Sequence, residues 1–201
     1  LGRQEHYWRD GVTPEQRADE QRQFRELAGY LLRTYAGTGK TFVLQHWEGD
    51  WSLRGTADPN PAYDAQQPAI QHMIDWLNAR QDGVNQARAE VTDTDVKVYH
   101  ATEVNCVEWA IAGRPMVANR VLPNTRCDLC SYSAWDAVSA ASASHVRDVL
   151  DYLASNLPPE AVFGNKSIYF GEFGWPEKYS TSMNIIRAGT QGALDWGCPW
   201  L

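Results

Sequence analysis

Apolar residues recur along this chain at two alternating spacings. Between 14 and 36, Phe24, Leu27, Ala28, Leu31 and Tyr35 fall on one face of a helix, which Thr13-Pro14 opens and Gly37-Thr38-Gly39 ends. Residues 41–47 read as a strand, and the Pro-, Asn-, Asp- and Gly-rich stretch 52–67 as a loop. A second helix spans 68–82 through Ile70, Met73, Ile74 and Leu77; a strand covers 96–104, and a short helix lies near 106–113. The pattern then gives a strand at 127–133, a helix at 142–156 stopped by Pro158-Pro159, a strand at 167–172, and a last helix at 181–196 broken by Gly197-Cys198-Pro199.

Strands alternating with helices predict an α/β fold with a parallel sheet and helices packed outside it. Right-handed crossovers place every strand's C-terminal end on one face, which in a β/α barrel holds the active site. The count is four strands and five helices, the chain starts just before a helix, and Trp196–Leu201 reads as the run into another strand. A full eight-unit barrel takes about 250 residues. The expectation is therefore a (β/α)8 TIM barrel, of which residues 1–201 form a single incomplete domain from the middle and later part.

Composition narrows the partners. A formal net charge of -7 argues against nucleic acid. No run of 18 apolar residues is present, so no membrane span is expected. Leu1-Gly2-Arg3-Gln4-Glu5 does not read as a signal peptide. The outlier is nine tryptophans, several of them beside Gly, Asp or Pro in predicted loops. Flat aromatic faces suit sugar rings, and equally suit burial.

Gly37-Thr38-Gly39-Lys40-Thr41 imitates a phosphate loop, but position 34 is Thr34 where glycine is needed, and a helix ends where one should begin. Cys106, Cys127, Cys130 and Cys198 lack the spacing of a zinc set. Disulfides are the expected use, which points to a secreted or cell-envelope protein; buried free thiols are the alternative. Asn165-Lys166-Ser167 is a glycosylation sequon, a frequent chance match.

Two strands end alike: Trp47-Glu48-Gly49-Asp50-Trp51 and Gly171-Glu172-Phe173-Gly174-Trp175-Pro176. A carboxylate just past an apolar strand is costly to bury unless it has a partner or a task. On alternation, Phe42, Leu44, His46 and Glu48 share one face, as do Ile168, Phe170 and Glu172. If those faces point into a barrel, both carboxylates enter one cleft. A retaining glycosidase needs such a pair about 5–5.5 Å apart; an inverting pair stands about 6.5–9.5 Å apart.

The second segment resembles the nucleophile motif, Glu-x-Gly-Trp-Pro, of the retaining β/α-barrel glycoside hydrolases that include cellulases, β-galactosidases and β-1,3-glucanases. The resemblance implies Glu172 as nucleophile at the end of strand seven and Glu48 as acid/base at the end of strand four. The chain would then run roughly from helix 3 to helix 7. It implies an oligo- or polysaccharide substrate, with no cofactor and no metal. Tyr132 is expected to hydrogen-bond the nucleophile, and Trp47, Trp51, Trp135 and Trp175 to meet substrate. Most of that clan has Asn immediately before the acid/base Glu; this chain has Trp47, and Asn105 is the available replacement. Glu103 and Asp136, also near strand ends, are candidates to line a subsite or to replace Glu48 as the acid. Two rival readings are a non-catalytic glycan binder on the same scaffold, and a structural barrel fragment whose glutamates pair with Arg, for instance Arg54. The oligomeric state stays open.

Overall fold

The computed structural model describes residues 7–201, so the residues read for a signal peptide lie outside the described part. Strands β1 (Thr41–Gln45), β2 (Lys97–Val104), β3 (Leu129–Ser133) and β4 (Ile168–Glu172) lie side by side in chain order, every neighbouring pair parallel. Each falls within its predicted span. The helices are α1 (Pro14–Thr34), α2 (Gly49–Arg54), α3 (Gln67–Glu90), α4 (Val107–Ile111), α5 (Trp135–Val138), α6 (Ala143–Ala154) and α7 (Ser182–Trp196).

Local chemistry explains the helix limits. Thr13 and Gln16 form a reciprocal capping box at the start of α1. Gly37 and Gly39 take positive φ in the turn before β1, so the phosphate-loop imitation is a helix stop and a turn. Helix α3 runs well past its predicted end at 82, because Val84 and Ala87 continue its buried stripe against α1. The short helices α2 and α5, six and four residues long, are too short to show a period.

The sheet has two unlike faces. Phe42, Leu44 and Val98 pack outward with Ala28, Leu32 and Val84 of α1 and α3. Cys130, Tyr132, Ile168 and Phe170 pack outward with the α6 residues Val146, Val149, Leu150 and Leu153. The opposite face carries Val43, Tyr99, Ala101, Leu129 and Tyr169. This corrects the sequence reading, in which Phe42 and Leu44, and Ile168 and Phe170, were placed on the cleft side. Alternation shows which residues share a face but not which face the helices cover.

The sheet curls around that second face. Laid flat, β1 and β4 would stand about 14 Å apart, three strand spacings. Yet the Tyr169 hydroxyl on β4 donates to the Gln45 side-chain oxygen on β1. The C-terminal segment also meets β4, where the Phe170 N–H donates to the Trp200 carbonyl at 3.3 Å.

All four cysteines are free thiols, so the expected disulfides are absent among the described residues. Cys106, Cys127 and Cys130 are buried, and Cys127 accepts a hydrogen bond from the Thr125 hydroxyl at 3.3 Å. Among the described residues no helix is long and apolar enough to cross a membrane. Asn165 of the sequon is exposed.

Candidate active site

Strict alternation would carry Glu48 and Glu172 to the helix side with Phe42 and Phe170. Two breaks in the backbone turn them back. Strand β1 ends at Gln45, and Glu48 adopts a left-handed conformation, φ 60 and ψ 50, as the residue before α2. In β4 the register slips: Tyr132 pairs with Phe170, but Ser133 pairs with Glu172. Gly171 is the extra residue of this bulge, and a side chain there would collide with Ser131, its Cβ only 2.0 Å from the Ser131 hydroxyl oxygen. A left-handed non-glycine residue costs on the order of 1–3 kcal/mol and persists only where its surroundings enforce it.

Those surroundings are visible at Glu48. Its N–H donates to Glu103 Oε1 at 2.7 Å, and its carbonyl accepts the Ser52 N–H at 2.7 Å. Gly49 lies directly on the end of β2, where a Cβ would stand 2.1 Å from the Glu103 carbonyl oxygen. The fully buried Asp50 accepts three backbone N–H groups, from Asn105 at 2.8 Å, Cys106 at 3.1 Å and Val117 at 2.8 Å. Burial raises the Asp50 carboxyl pKa, opposed by those amides and by Arg54. Asp50 is thus an anchor of the turn.

Glu172 is held from β3. The Trp135 indole N–H donates to Glu172 Oε1 at 3.2 Å, and the Ser133 hydroxyl to Oε2 at 3.5 Å. The Glu48 carboxyl is pushed up by burial first and by the Glu172 charge second. Glu103, only 1% exposed, is pushed up to about 7, mainly by burial and further by the charges of Glu48 and Glu172. Three carboxylates therefore share one electrostatic neighbourhood at the C-terminal end of the sheet.

Beside them is a cavity of about 250 Å³. Glu48, Trp51, Asn105 and Trp135 line it, as four of the predicted site residues. Trp109, Ser133 and Asp136 complete much of the wall. Trp51 and Trp109 meet edge to face at 5.7 Å, and the Arg54 guanidinium lies over both. Arg54 pairs with Asp64 rather than with a site glutamate, and among the described residues no Arg or Lys forms an ion pair with Glu48, Glu103 or Glu172. No group of three His, Cys, Asp or Glu among the described residues is arranged to hold a metal ion.

Glu172, the predicted nucleophile, is not among the residues of the cavity wall, and three predicted contacts also fall elsewhere. The Tyr132 hydroxyl donates to Asp136 at 2.5 Å instead of to Glu172, because its ring lies on the helix side against Phe170. Trp47 is 68% exposed and outside the cavity wall, and Trp175 packs against the main core. His46 is buried edge-on to Trp76 and its pKa falls to about 3 through burial and the nearby Arg80 charge, so it stays neutral. Asp136 is pushed up to about 6, chiefly by burial. Trp109 and Ser133 were the residues missed; Trp109 sits just after β2, where strand-end residues gather, but its helical spacing reads as core, and Ser133 ends β3 without a charge to mark it.

No protein-family model, curated protein or solved structure matches this chain.

Proposed function

We propose that the sheet is an arc of a (β/α)8 barrel, with β1–β4 in the places of strands four to seven, and that the chain carries the catalytic face of a retaining glycoside hydrolase. The observation that carries this reading is that Glu48 and Glu172 both lie at the C-terminal end of a parallel sheet, near enough that, besides burial, the Glu172 charge raises the Glu48 carboxyl pKa, with Glu48 in the wall of a tryptophan-lined cavity. Sugar rings bind such walls through their C–H faces, and a carboxylate pair supplies acid, base and nucleophile without a cofactor.

In the reaction the Glu172 carboxylate attacks the anomeric carbon and forms a glycosyl ester. Glu48 gives its proton to the departing glycosidic oxygen. Water then attacks the anomeric carbon, Glu48 takes the water's proton, and the carbon–Glu172 bond breaks. Glu48 suits the acid role because burial and the Glu172 charge both favour its protonated form. Glu103 holds a proton more firmly, but it is buried and both its oxygens already accept hydrogen bonds within the protein. Asn105 spends its oxygen on the Asp50 N–H and one N–H on Glu103, which leaves one N–H for a sugar hydroxyl.

Assay against aryl β-glycosides and soluble polysaccharides tests the proposal. Turnover should give a first product of retained anomeric configuration, and a slow 2-fluoro glycoside should add its mass to the peptide containing Glu172. E48Q and E172Q should each lose at least about 10³-fold in kcat. The second reading, a glycan binder without turnover, draws on the exposed Trp47 where the resembled clan has Asn. It wins if the wild type binds polysaccharide, turns nothing over, and binds equally well as E48Q and E172Q.

A further inference from the structure

Glu103 is a buried carboxylate to which the proposed mechanism gives no step, yet its side chain binds the end of β1, the backbone of Glu48 and the Asn105 side chain. Oε1 accepts the Glu48 N–H at 2.7 Å and the Asn105 side-chain N–H at 3.1 Å. Oε2 accepts the Gln45 side-chain N–H at 3.1 Å. Gln45 in turn accepts the Tyr169 hydroxyl. A chain of hydrogen bonds thus runs from β4 to β1 and on to the end of β2, where it reaches the backbone of Glu48.

We infer that Glu103 is a positioning residue: by accepting the Glu48 N–H it fixes the left-handed turn that aims the Glu48 carboxylate into the cavity. The alternative, Glu103 as the acid itself, fits the geometry less well. Its side chain is 1% exposed, both oxygens already accept donors, and the cavity wall is formed by Glu48. A left-handed glutamate needs an external hold, and the Glu103 carboxylate is the group bonded to its amide.

The catalytic half of this inference rests on the glycosidase reading, so the test has two independent readouts. The first is hydrogen exchange of the Glu48 amide, followed by NMR in E103Q, E103A and E103D. The second is kcat and KM on whichever glycoside the wild type cleaves. E103Q keeps an oxygen for the Glu48 N–H; the Gln45 amide turns over to meet the new NH2, and the Tyr169 hydroxyl becomes the acceptor. The expected result is a protected Glu48 amide in E103Q, with kcat within about threefold of wild type. In E103A the amide should exchange at least about 10-fold faster, with kcat lower by about 100-fold and KM little changed. E103D, one methylene short, should behave like E103A and serves if E103A does not fold.

An E103Q protein that loses turnover as fully as E103A while its Glu48 amide stays protected would make Glu103 a proton donor and overturn the inference. A Glu48 amide still protected in both E103A and E103D would overturn it equally. If the wild type cleaves no glycoside but the amide responds as expected, the glycosidase reading falls and the positioning of Glu48 by Glu103 stands.

Discussion

Asp50 and Asn105 hold each other twice. The Asp50 carboxylate accepts the Asn105 N–H at 2.8 Å, and the Asn105 side-chain oxygen accepts the Asp50 N–H at 3.0 Å. This reciprocal pair ties the turn after β1 to the turn after β2. Asparagine at 50 has one oxygen where the carboxylate has two, and its NH2 would face a backbone N–H. D50N should therefore lose about 2–4 kcal/mol of stability in urea unfolding. A loss under about 0.5 kcal/mol would show that the pair is not the anchor of this edge.

Glu103 makes a pH prediction whose sign follows from proton counting. In the fold it keeps its proton up to about 7; its unperturbed value is 4.5. Between those values the native state binds more protons than the unfolded state, so this group lowers stability as pH rises through the window. The full shift corresponds to about 3 kcal/mol, reduced to about 2 by solvent screening at the adjoining cavity. The buried His46 and His100 act oppositely, since their pKa values are depressed and acidification below 6.5 costs stability. The difference between E103Q and wild type isolates the carboxylate. The advantage of E103Q should grow by about 2 kcal/mol from pH 4.5 to pH 7 and then level off. Parallel stability curves would contradict the assignment.

Much of the architecture was legible in the sequence. Period and punctuation located all four strands and the long helices, and two Glu-Gly-containing strand ends pointed to one edge of the sheet. The faces were not legible. Parallel strands are apolar on both sides, so Phe42 and Phe170 gave no sign that they belong under the helices. Nor does a period of two report its own interruptions. The left-handed Glu48 lies three residues past β1 and the bulge at Gly171 near the end of β4, where local rules yield to the site. The error on the faces and these two breaks offset each other, so Glu48 and Glu172 both lie at the C-terminal end of the sheet, near enough that, besides burial, the Glu172 charge raises the Glu48 carboxyl pKa. Tyr132 was assigned to the wrong carboxylate for the same reason: its ring follows Phe170 to the helix side. Glu103 was visible as a strand-end acid, but its bond to a backbone amide 55 residues earlier is a tertiary fact.

The close approach of Gly49 to β2 yields a test away from the carboxyl groups. In G49A the new methyl would meet the Glu103 carbonyl oxygen at 2.1 Å and the carbonyl carbon at 3.0 Å, both backbone atoms that cannot rotate aside. The turn after β1 must lift. Stability should fall by about 3 kcal/mol, and on the proposed hydrolase reading kcat should drop although every acidic side chain remains. Thermal unfolding and steady-state kinetics read the two effects, and a G49A protein as stable as wild type would mean that the two turns are not in contact.

The backbone of Glu48 allows stability and activity to be separated at one position. Its φ of 60 is a conformation that glycine adopts freely and that costs a residue with a Cβ about 1–2 kcal/mol. E48A removes the carboxylate but keeps the Cβ, whereas E48G removes both. On the proposed reading both variants should lose turnover, since neither has the acid that Glu48 would supply. E48G should nevertheless be the more stable of the two by about 1 kcal/mol, part of its gain being offset by the greater freedom of glycine in the unfolded chain. For a chain of 201 residues that difference appears as a rise of about 2–4 °C in Tm. If E48A melts at or above E48G, the turn is not strained, and the hold that Glu103 exerts on it has nothing to act against. If E48G is the more stable, the fold is giving up stability to keep a glutamate where a glycine fits better, which is expected where the side chain is required for chemistry.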